Sequence, residues 1–413
     1  MTHASVRHPP HHRRRVAIAG GGLAGLRAAE ELRRQGFDGS IKMVTAEAVA
    51  PYDRPQLSKS LLVGTTSVEK AIYRDAEYYN NLSIDLLLEH RVGSLDLRER
   101  CLKTSRGSVD FDDLVICTGA APRRLGGIAD MAGVHELRTL DDGVAIRDAF
   151  GKAPRVVVVG AGFIGSEVAA SARKLGLDVT IVEASPAPLA RALGNDMGLA
   201  CAGLHADHGT RLLRGVSIES VEGHGRVERV RLTDGTTIDC DLLVVGIGVA
   251  PTVDWLAGSG LPIDNGTVCD ATLSTPAKGV YAAGDVASWP NELFGLRMRG
   301  EQWTNAVEQG RHVARNILAD AEEQRPFHGS NYFWSDQYGV RIQFAGITAA
   351  DEIRIVEGSV AERRFLAWYR RGDRLVGALA MNEAKSLMLS KTLIEHRANW
   401  NEALTAFEKA TAS

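Results

Sequence analysis

The chain has 413 residues, 45% of them hydrophobic and 24% charged, a composition that suits roughly two to three globular domains of about 150 residues each. With 48 basic and 51 acidic residues its net charge is -3, which excludes a general nucleic-acid surface and leaves only local basic patches. The five cysteines, Cys101, Cys117, Cys201, Cys240 and Cys269, have neither C-x-x-C nor metal-ligand spacing, so a thiol-disulfide centre and a metal site are not expected, and no run approaches the roughly 18 apolar residues of a membrane span.

Near its N-terminus the chain carries His11-His12-Arg13-Arg14-Arg15 ahead of an apolar stretch, a pattern with the outline of a twin-arginine secretion signal. That stretch is short, runs into three glycines and reads as a strand, so residues 1–13 are expected to form a disordered tail and the protein to be cytoplasmic. The strand Val16-Ala17-Ile18-Ala19 leads into Gly20-Gly21-Gly22-Leu23-Ala24-Gly25. A helix follows through Leu32, and a second strand, Ile41 to Thr45, delivers Glu47. The arrangement repeats from Val156, through Gly160-Ala161-Gly162-Phe163-Ile164-Gly165, to Glu183. A G-x-G-x-x-G run gains meaning when a strand precedes it, a helix follows it and an acid comes about 20 residues on. Both copies meet all three conditions. The first glycine permits the turn, the second lets a pyrophosphate approach backbone, the third lets helix pack on strand, and the acid accepts from ribose hydroxyls. One chain is therefore expected to hold two dinucleotides.

Each unit closes alike, with Asp113-Leu114-Val115-Ile116 running to Gly119 and Pro122, and Asp241-Leu242-Leu243-Val244-Val245 running to Gly248 and Pro251. Such continuous apolar strands suit a parallel sheet covered on both faces. A further strand, Val280-Tyr281-Ala282-Ala283, ends in Gly284-Asp285 after the second unit is complete, which implies a return to the first. The expected domains are 14–121 with 249–325, 122–248 as an insertion, and 326–413. The last reads as α+β, with strands at Arg341–Phe344 and Phe365–Tyr369 and a helix from Glu383 to about His396.

Together the motifs resemble the two-dinucleotide flavoprotein disulfide reductase superfamily, whose fold is α/β with two Rossmann-like, glutathione-reductase-like domains, and within it the NADH-dependent ferredoxin reductases that serve oxygenases. The segments most specific to that resemblance are Pro51-Tyr52-Asp53-Arg54-Pro55-Gln56-Leu57-Ser58-Lys59, the Gly284-Asp285 turn and Phe333-Trp334-Ser335-Asp336-Gln337-Tyr338. Gln56 replaces a proline common at that place, a matter of loop stiffness. The resemblance implies FAD at Gly20, Gly22, Ala24 and Gly25, with Glu47 on the adenosine ribose, Arg54 and Lys59 near the flavin end, Asp285 on the ribityl chain, and Val92, Arg138 and Trp303 lining the site. Asp285 has an independent rationale, since a carboxylate at a strand's carboxyl end faces the ligand crevice of an α/β sheet; it reads equally as a turn aspartate. Trp303 reads as a pocket wall or as core. NADH falls to Gly160, Gly162, Gly165, Glu167 and Glu183. Glu183 accepts two ribose hydroxyls and repels a 2'-phosphate, so NADH is expected over NADPH. Arg191 reads as a pyrophosphate contact or a surface pair.

By the same resemblance Lys59 and Glu167 are expected to pair across the domain junction beside the hydride path. A helix starting near Glu301 would aim its N-terminal amides at the flavin. Serine and lysine stand where disulfide reductases and coenzyme A disulfide reductases keep a redox cysteine, so electrons would leave for an external acceptor. A [2Fe-2S] ferredoxin serving a monooxygenase or dioxygenase is the acceptor implied, with Arg297, Arg299, Arg311 and Arg315 as docking candidates and Trp334 near the docking edge or in the core. The alternatives are rubredoxin, a quinone or dioxygen as acceptor, or an NADH-sensing interaction flavoprotein of the apoptosis-inducing-factor kind.

Overall fold

The computed structural model describes residues 14–126 and 131–411; the tail expected over residues 1–13 lies outside them. The fold is α/β, with two Rossmann-like units and a C-terminal α+β unit. In the first sheet Val280–Ala282, Asp113–Ile116, Arg15–Ala19, Ser40–Val44 and Ile84–Leu87 lie side by side in that order, all parallel. The strand after the second fingerprint thus completes the sheet begun before the first. The second sheet orders Arg211–Arg214, Val179–Glu183, Val156–Val159, Leu242–Val245 and Val134–Glu136, again all parallel. Central strands such as Val156–Val159 and Leu242–Val245 are buried at every residue, which is why their sequences are unbroken apolar runs rather than alternating ones. Between the two units Ala120–Pro122 pairs antiparallel with Val249–Pro251, so the two proline-ended crossings form one ribbon.

Each fingerprint glycine meets its own steric demand. Gly20 and Gly160 have φ of +129° and +97°, a region closed to most side chains. A Cβ on Gly25 would lie 2.3 Å from the Gly20 carbonyl oxygen, and one on Gly165 would lie 2.1 Å from that of Gly160, so helix packs on turn only without side chains there. A long helix, Trp303–Leu318, returns to lie on the first fingerprint helix, Leu23–Arg34. They cross closely at Gly310, where a Cβ would meet the Ala24 carbonyl oxygen at 2.3 Å.

The third unit is an antiparallel sheet in the order Phe333–Gln337, Val340–Gly346, Arg374–Met381, Arg364–Arg371 and Glu352–Ser359, with helices Ala384–Glu395 and Trp400–Thr411. Its core continues into the second unit through Leu193, Met197, Cys201 and Leu204, and the Tyr369 hydroxyl donates to the Leu193 carbonyl at 2.6 Å. Shared apolar burial of this kind fixes the third unit against the second.

Candidate active site

The glycines in the middle of the two fingerprints face open space. A Cβ on Gly22 or Gly162 would meet nothing within 4 Å. Each is the N-cap of a twelve-residue helix and makes no side-chain cap hydrogen bond, so the first-turn amides are left for a ligand. Glu183, at the end of its strand, is tied to the second turn by accepting from the Ala161 amide and the Ser185 amide, each at 2.7 Å. Among the described residues no arginine pairs with it.

Beside the first fingerprint the structure gathers a line of polar groups. Glu47 accepts from Arg54 Nη2 and from the Tyr52 hydroxyl, each at 2.6 Å. Arg54 Nη1 also donates to Tyr52 at 2.8 Å and to the Arg138 carbonyl at 2.6 Å. Burial alone would pull the Arg54 guanidinium down, but Tyr52 and Glu47 outweigh it and hold the group above its ordinary value. Arg138 then reaches Asp285 at 3.1 Å. Glu47 and Arg54 therefore meet at one point, although they were expected at separate ends of the dinucleotide. Tyr52, the phenol that joins them, was not singled out in the sequence. Val92 opens the half-buried edge of a three-stranded sheet.

Lys59 and Glu167 come together as expected. Lys59 Nζ lies 2.7 Å from Glu167 Oε2, and Glu167 is only 3% exposed. Two further donors hold the carboxylate: Ser58 Oγ at 2.5 Å on Oε2 and Ser335 Oγ at 2.6 Å on Oε1. Loop, fingerprint helix and third unit thus meet on one side chain. A buried charge is tolerated only when so paired and hydrogen-bonded. Both serines lie in the segments that carry the resemblance, yet a serine has no spacing signature of its own, so their role is visible only in three dimensions.

Trp303 stands at the head of the long helix, half-buried, and its indole donates to the Tyr73 hydroxyl at 2.9 Å and to Asp53 at 3.2 Å. Trp334 packs edge-on against it with ring centroids 5.9 Å apart, and Tyr332 stacks beyond at 6.2 Å. Neither tryptophan is simple core. Gln309 is fully buried, and its carbonyl oxygen accepts from the Gly284 amide at 2.8 Å.

Three of the four docking arginines have other work. Arg297 donates to the carbonyls of Ser288 and Cys269, at 2.7 and 3.1 Å. The Arg299 side chain is 8% exposed and pairs with Glu301 at 2.5 Å. Arg315 pairs with Glu31 at 2.7 Å and so ties the long helix to the first fingerprint helix. Arg297, Arg311 and Arg315 are exposed, and Arg311 alone of the four makes no hydrogen bond or ion pair among the described residues. Arg191 has an 80% exposed side chain with a long, 3.8 Å contact to Glu301, so it bridges units at the surface. All five cysteines are buried and unpaired. Burial pushes the thiols of Cys201, Cys240 and Cys269 up to about 12 and that of Cys117 well above its ordinary value, which leaves them inert as nucleophiles. Among the described residues no helix is long and apolar enough to cross a membrane, and no three metal-binding side chains cluster.

A family model described as pyridine nucleotide-disulphide oxidoreductase matches residues 14–310. The chain belongs to that family. A second model, described as reductase C-terminal, matches residues 332–411. Rhodocoxin reductase of Rhodococcus erythropolis is 36% identical, covering 92% of this chain and 89% of its own. The ferredoxin--NAD(+) reductase component of the anthranilate 1,2-dioxygenase system of Burkholderia cepacia is also 36% identical, over 91% of this chain and 93% of its own. Among solved structures, putidaredoxin reductase in its covalent complex with putidaredoxin superposes with a TM-score of 0.90 at 31% identity, covering 97% of this chain and 99% of that one. The two dinucleotide units and the third unit are thus shared family architecture.

Proposed function

We propose that this chain is an NADH-dependent ferredoxin reductase, which takes a hydride from NADH onto FAD and passes the electrons singly to a [2Fe-2S] ferredoxin serving a cytochrome monooxygenase or a ring-hydroxylating dioxygenase. The observation that carries the reading is the pairing of partly exposed Lys59 with buried Glu167, which Ser58, and among the described residues no cysteine, also hydrogen-bonds. The names of the relatives, a rhodocoxin reductase and a ferredoxin--NAD(+) reductase of a dioxygenase system, support it.

We assign FAD to the open space at Gly22, with Gly20, Ala24, Gly25, Val92, Arg138, Asp285 and Trp303 around it and the Glu47–Arg54 pair beside it, and NADH to the open space at Gly162, with Gly160, Gly165 and Glu183. Bound there, FAD supplies the exchange between a two-electron donor and a one-electron acceptor. The chain's own contribution is orientation and electrostatics. Lys59 and Glu167 fix a desolvated charge pair between the two dinucleotides, and the amides at the head of the Trp303–Leu318 helix favour negative charge on the flavin side. Arg191, whose exposed side chain has only a long contact to Glu301, is assigned to the NADH pyrophosphate or to that surface pair. The domain limits that suit this reading are 14–121 with 249–325, 122–248 and 326–413. Five unpaired cysteines suit a cytoplasmic setting.

NADH-dependent cytochrome c reduction by the FAD-loaded protein, with and without a panel of [2Fe-2S] ferredoxins, tests the acceptor. Strong stimulation of cytochrome c reduction by a ferredoxin is expected; fast flavin bleaching by NADH with no ferredoxin stimulating cytochrome c reduction sinks the assignment. For the pair, Glu167→Gln and Lys59→Met are each expected to slow flavin bleaching by NADH at least about tenfold.

A further inference from the structure

The strand that opens the third unit, Phe333–Gln337, bears on the second fingerprint helix at two points, and Tyr338 just after it does so at a third through His205. Phe333 packs edge-on against Phe163, with centroids 5.0 Å apart. Ser335 donates to Glu167. The Tyr338 hydroxyl lies 2.8 Å from Nδ1 of buried His205, whose Nε2 lies 3.3 Å from Ser166 Oγ, on the residue next to Glu167. The first and third contacts brace the strand. The second reaches the reacting region.

Ser335 is completely buried, and Gln337 Nε2 donates to its Oγ at 3.1 Å. A hydroxyl has one proton to give. With its oxygen accepting from Gln337, that proton goes to Glu167 Oε1, so the donors run in one direction, from Gln337 to Ser335 to Glu167. Oε2 is held by Ser58 and Lys59, whereas Ser335 is the one hydrogen-bond donor given to Oε1 among the described residues. Without it a buried carboxylate oxygen is left unpaired, and the side chain gains by rotating away from Lys59 to find another donor.

We propose that Ser335 is a positioning residue for the hydride step: it holds Glu167 against Lys59 from the third unit, which makes that unit part of flavin reduction by NADH as well as a neighbour of it. The proposal rests on the role given above to Glu167 and Lys59. With both nucleotides bound, the hydride, a proton with its two electrons, would pass whole from NADH to FAD and leave NAD+; Ser335 and Glu167 would neither gain nor lose a proton.

Ser335→Ala, Glu167→Gln and the double variant, each loaded with FAD, provide the test, read by flavin bleaching at saturating NADH, by the Kd for NAD+ from calorimetry and by the urea midpoint. Ser335→Ala is expected to slow bleaching about tenfold while the Kd moves less than about twofold. The double variant should bleach no slower than Glu167→Gln, and the urea losses of the two single variants should not add. Ser335→Cys, of similar volume but a weak donor, should slow bleaching likewise and serves if the alanine variant folds poorly. A bleaching rate within about twofold of the parent in Ser335→Ala or Ser335→Cys, or rate losses that multiply in the double variant, overturns the proposal. If Glu167→Gln itself bleaches normally, the role of Glu167 falls and this inference with it; if it is slow while both Ser335 variants are normal, only this inference falls.

Discussion

Glu183 spends its carboxylate on two backbone amides of the turn it faces, which sets the charge at the place where a nicotinamide nucleotide would present its ribose. Glu183→Ala together with Ser185→Arg should shift the ratio of kcat/KM for NADH over NADPH toward NADPH by at least about tenfold, since the variant removes a repulsion and adds a phosphate partner. An unchanged ratio would mean that discrimination lies elsewhere. His205 makes a second prediction, of stability. Burial, with the like charge of His208 adding to it, pulls its imidazole down to about 4, against about 6.5 in an unfolded chain. The unfolded chain thus takes a proton that the folded one refuses. Stability is whole above about pH 6.5 and drains away as the pH falls toward about 4, by on the order of 3 kcal/mol. The urea midpoint of His205→Asn should consequently fall less steeply than the parent's between about pH 7 and pH 5, and equal slopes would remove His205 as the source.

At the scale of elements, two kinds of glycine separate fold from binding. Gly22 and Gly162 have extended backbones, with φ of -88° and -75°, and nothing near the place of a Cβ. Alanine there should leave the unfolding free energy of the cofactor-free protein, from urea titration, within about 0.5 kcal/mol of the parent, yet Gly22→Ala should weaken FAD retention and Gly162→Ala should raise the KM for NADH. Gly310 is the opposite case. A Cβ there runs into the Ala24 carbonyl oxygen, which cannot swing aside as a side chain would, so Gly310→Ala should cost about 1–3 kcal/mol by forcing the two helices apart. Were Gly310→Ala as stable as the parent, the close crossing of Leu23–Arg34 with Trp303–Leu318 would be in error.

Across the whole molecule, electrons need an exit, and the charged surface near the long helix is narrower than its arginines suggest. With Arg297, Arg299 and Arg315 each held by carbonyl or carboxylate partners, the exposed cation left without such a partner among these four, within the described residues, is Arg311. Arg311→Glu should raise the KM for an acidic ferredoxin about tenfold and flatten its dependence on salt, while flavin bleaching by NADH stays within about twofold. If bleaching falls as much as ferredoxin reduction, Arg311 belongs to the internal machinery. The third unit is no loose appendage in this account, because its core runs into the second unit and its first strand touches Glu167.

The two nucleotide units were legible in the chain itself, because the steric demands of a turn, a helix on a strand and a doubly covered sheet each select particular residues at fixed spacing: glycine at Gly20 and Gly160, unbroken valines at Val156–Val159, an acid at Glu183. The Lys59–Glu167 meeting was legible only through family resemblance, since 108 residues separate the pair and spacing says nothing across that distance. What the tertiary structure alone decided was the company each polar group keeps. Ser58 and Ser335 converge on Glu167, Tyr52 joins Glu47 to Arg54, and three arginines that read as docking candidates are held by carbonyls and carboxylates of the chain itself. A buried charge must find partners wherever the packed chain brings them, and hydroxyls and guanidinium groups are common enough in sequence that only folding says which of them it finds.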